Sequence, residues 1–82
     1  MKRLEFRGNK NIINTQLREL RRQRGLTQSD LAAQMQVMGV TIDQQMISKI
    51  ENNTRIVTDF ELACLCGILG VDASVLLSGV DY

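Results

Sequence analysis

The most informative stretch of this chain is residues 44–52, which has the sequence QQMISKIEN. At about 100° per residue on a helix, its hydrogen-bonding side chains share one arc of about 140°. These side chains are Gln44, Gln45, Ser48, Lys49 and Asn52. The apolar side chains Met46, Ile47 and Ile50 fall in a separate arc, and Glu51 lies at the border. The pattern predicts an amphipathic helix that packs its apolar face and exposes its polar face.

The polar arc carries side-chain types that contact base edges in DNA. Glutamine donates and accepts in one plane and so matches adenine N6 and N7, whereas lysine donates to guanine O6 and N7. Gln44 and Gln45 lie in the first turn, which is the part of a recognition helix that contacts bases in the major groove. The alternative interpretation of this arc is the solvated face of an ordinary amphipathic helix.

Capping residues and glycines predict two helices upstream. Asn11 is the predicted cap of a first helix that extends to Arg24 and ends before Gly25. Its apolar stripe is Ile13, Leu17 and Leu20, whereas Arg18 and Arg22 are expected to face solvent. The second helix begins after Thr27 and ends near Gly39. Its capping-box acid is Asp30, and its apolar face is Leu31, Met35 and Met38.

The third helix, residues 44–52, is predicted to be capped by Asp43, and two more helices follow it. Thr58 and Glu61 form a capping box for a fourth helix that ends at Gly70. Its apolar side chains are Leu62, Leu65, Cys66 and Leu69. Asp72 is the predicted cap of a short fifth helix with the apolar residues Val75, Leu76 and Leu77. Strand patterns are almost absent, so we expect a compact all-α domain of five helices.

Length and charge restrict the function classes. A chain of 82 residues accommodates one small domain. The formal net charge of +1 is unevenly distributed, because residues 1–24 carry eight basic and two acidic side chains. Such a basic segment suggests an anionic partner, although a solvated charged face is the alternative.

Several other classes are not expected. Cys64 and Cys66 are the only thiols and histidine is absent, so neither a metal site nor a disulfide is predicted. No cofactor, enzymatic activity, small-molecule substrate or membrane partner is indicated, since no catalytic constellation and no long apolar run is present. Unpaired cysteines fit a reducing cytoplasm.

Three strings together resemble the Cro/C1-type (XRE-like) helix-turn-helix family of phage repressors and bacterial regulators. They are LRELRRQRGLTQSDLAAQM at residues 17–35, QQMISKIENNTR at residues 44–55 and ELACLCGILGV at residues 61–71. The resemblance covers about residues 12–79. It implies a lambda-repressor-like five-helix domain that binds double-stranded DNA as a transcriptional regulator, expected to be a repressor that acts as a homodimer.

The resemblance also implies roles for individual positions. Base contacts fall on Gln44, Gln45, Ser48 and Lys49. Phosphate contacts fall on Gln28, Asn52, Asn53, Thr54 and Arg55. For Gln28 the exposed amides of a helix N-terminus support an anion site on physical grounds. For Asn52 and Asn53, ordinary helix termination is an equally good interpretation.

Arg21 and Glu51 match a pair that links the first and third helices in related repressors. Both also lie at the border of an apolar face, so the pairing has support from the helical pattern. The alternative is two separate solvated charges. We hypothesise that the pair fixes the angle of the third helix.

One spacing departs from the family. Leu31 and Ile47 lie sixteen residues apart, which is longer than typical members have. The additional residues fall within 36–42, so either the second helix or the turn after it is longer. Val40 and Ile42 are predicted to enter the core there, and the docking angle of the third helix is put in question.

The chain is divided into a basic N-terminal arm (residues 1–10), the helix-turn-helix domain (residues 11–79) and a C-terminal tail (residues 80–82). Lys2, Arg3 and Arg7 are candidate DNA contacts of the arm, and disorder without a role is the alternative. The candidate dimer surface consists of the fifth helix with Val75, Leu77, Val80 and Tyr82.

A second function remains open. Because few basic residues surround the third helix, the domain could instead bind a protein, as an antitoxin-like or repressor-modulating module. That function predicts weak DNA binding that does not depend on salt.

Overall fold

The computed structural model describes residues 5–79, which form five α-helices and a closing 3₁₀ turn. The helices are α1 (Asn14–Gln23), α2 (Gln28–Val37), α3 (Gln44–Glu51), α4 (Asp59–Leu69) and α5 (Ala73–Leu76), followed by the 3₁₀ turn Leu77–Gly79. In this part of the chain the one β-type pairing is an isolated bridge between Phe6 and Asn9. The predicted all-α class with five helices is confirmed.

Three of the predicted helix starts are confirmed by their side-chain caps. Thr27 Oγ1 accepts from the Asp30 N–H (3.0 Å), and the Asp30 carboxylate accepts from the Thr27 N–H (2.9 Å). Thr58 and Glu61 form the same reciprocal pair before α4. Asp43 accepts from the backbone N–H of the third residue of α3 at 2.8 Å. These caps satisfy amides that the helices themselves leave without partners.

The prediction that Asn11 caps α1 is wrong. The helix begins at Asn14, and its N-cap residue Ile13 makes no side-chain cap. Asn11 is buried instead, and its Nδ2 donates to the carbonyl oxygens of Ile50 and Arg55, both at 2.9 Å. Its amide therefore joins the end of α3 to the loop that follows. Asp72 also makes no side-chain cap, although it does precede α5.

Every helix contributes to one core. The buried apolar residues are Leu17 on α1, Leu31, Ala32 and Met35 on α2, Ile47 and Ile50 on α3, Leu65 and Leu69 on α4, Leu76 on α5, and Ile13, Val40 and Ile42 between helices. Each of these side chains other than Ala32 contributes about 1.5–3 kcal/mol relative to remaining exposed. One residue of the predicted apolar faces is exposed instead, because Met38 lies beyond the end of α2 and so leaves its apolar stripe. Val75, a residue of the candidate dimer surface, is exposed on the short α5.

The unusual spacing between α2 and α3 is taken up by a six-residue connection, residues 38–43. Val40 and Ile42 are buried, as predicted. The Val40 N–H donates to Met35 O (3.0 Å), which closes the end of α2. Gln36 on α2 also donates from its side chain to Ile42 O at 2.8 Å. These contacts return the chain to the start of α3.

Helix packing places α3 on the outside of the domain. Its apolar face packs against α1 and α2, while α4 supports α2 and α5 closes the bundle against α1 and α4. Within residues 5–79, no helix by itself has the length and apolar character to cross a membrane; one bent pair, Asp59–Leu69 with Ala73–Gly79, passes on combined length and composition, with a 104° bend between its members.

Candidate nucleic-acid interface

The outer face of α3 brings the predicted base-contacting side chains together. Gln44, Gln45 and Lys49 are exposed, and Ser48 is half-buried beside them. On the opposite face Ile47 is fully buried. The helix therefore presents amide, hydroxyl and ammonium groups to the outside from a rigid element.

Gln28, the first residue of α2, connects this face to the interior. Its Nε2 donates to Glu51 Oε1 at 3.1 Å, and its Oε1 accepts from Gln44 Nε2 at 2.7 Å. An amide group has two N–H bonds and an oxygen with two lone pairs. The contact with Gln28 thus uses one N–H of Gln44 and orients the rest of its amide group.

Arg21 on α1 and Glu51 on α3 form a bidentate ion pair. Arg21 Nε donates to Glu51 Oε2 at 2.6 Å, and Nη2 donates to Oε1 at 3.0 Å. The Arg21 side chain is 11% exposed and the Glu51 side chain is 2% exposed. Arg21 Nη1 also donates to Leu26 O in the turn before α2 (2.9 Å). The pair thus joins α3 to both helices that support it.

The environment of Glu51 keeps its carboxylate ionised. Burial by itself would raise the pKa of Glu51, but hydrogen bonds from Arg21 and Gln28 and the charges of Arg21 and Arg18 outweigh it, so the pKa is lowered. The hydrogen bond to Glu51 raises the pKa of Arg21. Both groups therefore stay charged at neutral pH.

Arg18 does not face solvent freely, contrary to the prediction. It is half-buried, and its Nη2 donates to the backbone oxygen of Glu51 at 2.6 Å. Its Nε lies 3.8 Å from Glu51 Oε1. The helical pattern of α1 placed Arg18 outside the apolar stripe of that helix, but the packing of α1 against α3 brings Glu51, the last residue of α3, next to Arg18.

The predicted phosphate-contacting residues at the end of α3 and in the loop after it fall into two groups: two are exposed, and two have side chains that are bonded within the protein. Asn52 and Thr54 are exposed. Asn53 has a left-handed backbone (φ 62°), and its side chain is directed to the N-terminal segment rather than outward. The guanidinium of Arg55 binds both carboxylate oxygens of Glu61, each at 3.0 Å.

Glu61 neutralises much of the charge that Arg55 brings to this loop. Burial would raise the pKa of Glu61, but hydrogen bonds from Arg55 and Thr58 and the charge of Arg55 lower it. The Glu61 side chain is 5% exposed and that of Arg55 is 22% exposed. The capping-box pattern indicated Glu61 as a helix start but did not indicate this partner.

The N-terminal arm is partly an ordered turn, which the sequence interpretation missed. Phe6 and Asn9 exchange two backbone hydrogen bonds, at 2.8 and 2.9 Å. The central residues Arg7 (φ 52°) and Gly8 (φ 81°) have the positive φ values of a type I′ turn. Gly8, at the second central position of the turn, was the available signal for it. Lys2 and Arg3 of the arm, and Val80 and Tyr82 of the tail, lie outside the described residues.

A comparison with protein families matches this arrangement. The family model described as Helix-turn-helix covers residues 17–76, from the middle of α1 to the end of α5, which is well over half of the chain. Neither the curated proteins nor the solved structures gave a match. The matched family consists of DNA-binding transcription regulators. The chain belongs to the Cro/C1-type helix-turn-helix family, as the sequence resemblance implied.

Proposed function

We propose that the protein binds double-stranded DNA sequence-specifically, as a transcriptional repressor, with α3 in the major groove. One observation carries the proposal: hydrogen bonds run without a break from Gln44 through Gln28 and Glu51 to Arg21. They join the exposed polar face of α3 to α2 and α1. A polar surface that only meets solvent does not need such preorganisation, whereas a base-contacting surface does.

Each side chain on the face has a role in this proposal. Gln45 and Gln44 pair with adenine N6 and N7, and Lys49 donates to guanine O6 or N7. Ser48 donates to or accepts from an adjacent base edge. Gln28 orients the amide group of Gln44, so we expect Gln44 to accept fewer different bases than Gln45 does.

Phosphates flank the groove in this arrangement. The first amides of α2, around Gln28, provide one anion-binding position. Asn52 and Thr54 provide a second position after α3. Arg55 and Asn53 serve mainly to shape that loop, since their side chains bind Glu61 and the N-terminal segment.

Two-fold pairing on palindromic half-sites belongs to the same proposal. The candidate surface is α5 with the exposed Val75 and the half-buried Leu77. Sedimentation of the protein with and without DNA tests this part. An intracellular location goes with a function on DNA.

The second candidate, a module that binds a protein instead of DNA, is favoured by the electrostatics around α3. Arg18 and Arg21 both contact Glu51, and Arg55 contacts Glu61, so two carboxylates within the protein offset two of these three positive charges. The exposed cation on α3 is Lys49. A surface with so little excess charge also fits a polar protein partner.

Salt dependence of DNA binding separates the two candidates. Fluorescence anisotropy with a labelled duplex of mixed sequence measures the dissociation constant between about 50 and 200 mM salt. A DNA-binding protein gives a slope of about −0.9 per neutralised phosphate when the logarithm of the association constant is plotted against log salt. Binding that is weak and independent of salt would contradict the proposal and favour the protein-binding module.

Two matched variants locate the charge responsible. Lys49→Gln removes the cation of α3, and we expect the slope to become shallower because one cation fewer enters the groove. Arg24→Gln removes a cation whose Nε is held by Leu69 O at the end of α4, so we expect an unchanged slope. Equal effects of the two variants would contradict the placement of α3 on DNA.

A further inference from the structure

Asn53 is the point at which the end of α3 meets the N-terminal segment. Its Oδ1 accepts from the backbone N–H groups of Lys10 (2.9 Å) and Asn11 (3.2 Å). Its Nδ2 donates to Asn9 Oδ1 at 2.7 Å. The half-buried side chain of Asn53 thus binds three consecutive residues that lie more than forty positions away.

These contacts continue into the N-terminal turn, residues 6–9. Asn9 Nδ2 donates to the carbonyl oxygens of Phe6 (3.0 Å) and Arg7 (3.3 Å). On the other side of Asn53, Asn11 donates to Ile50 O and Arg55 O. Hydrogen bonds therefore connect the turn to both the last turn of α3 and the loop after it.

The backbone of Asn53 explains how one residue can do this without disturbing α3. Its own N–H donates to Ile50 O (3.1 Å), and the Thr54 N–H donates to Lys49 O (2.8 Å), which ends the helix around a left-handed residue. Glycine adopts this conformation more easily than asparagine does. The amide of Asn53 therefore adds something that helix termination does not require, namely the three bonds to residues 9–11.

We propose that Asn53 is a positioning residue that fixes the N-terminal turn, with Arg7 at its tip, beside the C-terminal end of α3 and the loop that is proposed to contact phosphate. Arg7 is exposed, and its guanidinium carbon lies 5.0 Å from the centroid of the Phe6 ring. The turn then meets a DNA phosphate as a fixed part of the surface rather than as a free arm. This inference rests on the proposed function.

The hydrogen bonds between Asn53 and residues 9–11 are tested first, without DNA. In Asn53→Gly the left-handed backbone is retained and the amide is lost, so we expect amide hydrogen exchange of Lys10 and Asn11 to become at least tenfold faster. The Thr54 N–H, which is bonded within the helix end, should keep its protection and so report that α3 is intact. Asn52→Ala is the matched control, because Asn52 is exposed and its side-chain hydrogen bond goes to Ser48 Oγ within α3.

The positioning role is tested by the salt dependence of binding to the mixed-sequence duplex. We expect Asn53→Gly to make the slope shallower by about 0.9, the value for one phosphate contact. Arg7→Asn, which suits the left-handed φ at that position, should give the same loss, and the double variant should lose no more. A residue that only stabilised the fold would lower the bound fraction without changing the slope.

The outcomes separate the two proposals. A wild-type slope near zero overturns the proposed function and this inference with it. A steep wild-type slope that is unchanged in Asn53→Gly, or losses that add in the double variant, overturns the positioning role alone. If amide hydrogen exchange of Lys10 and Asn11 is unchanged in Asn53→Gly, the claim that Asn53 holds residues 9–11 in place is overturned.

Discussion

The ion pair between Arg21 and Glu51 should dominate the stability of the interface between α1 and α3. We expect Glu51→Leu to destabilise the domain strongly, because it leaves a guanidinium that is 11% exposed without its carboxylate. It also removes the acceptor of Gln28 Nε2. The substitution itself adds apolar surface, so any loss of stability comes from the polar groups that are left behind.

The size of the effect follows from the burial of the pair. Removing one partner of a buried ion pair costs about 3–5 kcal/mol, and we expect the lower end because Arg21 keeps its hydrogen bond to Leu26 O. A domain of 82 residues has a total stability of about 4–12 kcal/mol. A loss of about 3 kcal/mol would therefore lower Tm by at least about 12 °C in a domain of this size.

Urea unfolding followed by far-UV circular dichroism measures the effect in a double-mutant cycle. The cycle uses Arg21→Met, Glu51→Leu and the double variant, whose paired apolar side chains should recover much of the loss. We expect a coupling energy of about 2 kcal/mol, and a value below about 0.5 kcal/mol would refute the reasoning. Lys10→Gln is the control, because the ion pair of Lys10 with Glu5 is partly solvated and should contribute less than about 1 kcal/mol.

Stability should also respond to pH and to backbone conformation. The pKa values of Glu51 and Glu61 are lowered in the folded state, so their stabilising contribution is present above about pH 4.5 and is lost as the pH falls through the folded-state values. Urea midpoints should therefore fall between neutral pH and about pH 3, and less steeply in Glu61→Gln; parallel curves would contradict this. Gly70 ends α4 with φ +70°, so Gly70→Ala should lower stability by about 1 kcal/mol. Gly67→Ala lies inside the helix, where there is room for a Cβ, and should raise stability by about 0.5–1 kcal/mol. If Gly70→Ala and Gly67→Ala move the thermal midpoint in the same direction, the different roles given to these two glycines are contradicted.

Local signals predicted the helices well because their physics acts within a few residues. The caps at Thr27, Asp43 and Thr58 each join a side chain to an amide three residues further on, and such contacts depend little on the rest of the fold. The polar arc of α3 was predictable for the same reason. Helical periodicity alone determines which of its side chains share a face.

Contacts between distant segments were not predictable. Asn11 has the residue type of a cap, but its amide is used by Ile50 and Arg55, about forty residues away. Asn53 was assigned to phosphate, and its backbone does end α3, yet its side chain binds the N-terminal segment. Neither asparagine belongs to a periodic pattern, so nothing in the sequence distinguishes a local use from a distant one.

The candidate site was therefore predicted in its composition but not in its connections. The sequence indicated Gln28, Gln44 and the pair of Arg21 with Glu51 separately. Only the packing of α2 against α3 joins them into one series of hydrogen bonds. The same packing brings Arg18 and Arg21 to a single carboxylate, which reduces the positive charge available to DNA.

The central claim is that α3 contacts bases, and selection of bound sequences from a random DNA pool tests it most directly. Wild-type protein should return one motif, and Gln44→Ala and Gln45→Ala should each relax the preference at a different position of that motif. Gln34→Ala, the same substitution at an exposed position on α2, should return the wild-type motif. If wild type returns no motif, or if both α3 variants return the motif unchanged, base contact by α3 is contradicted.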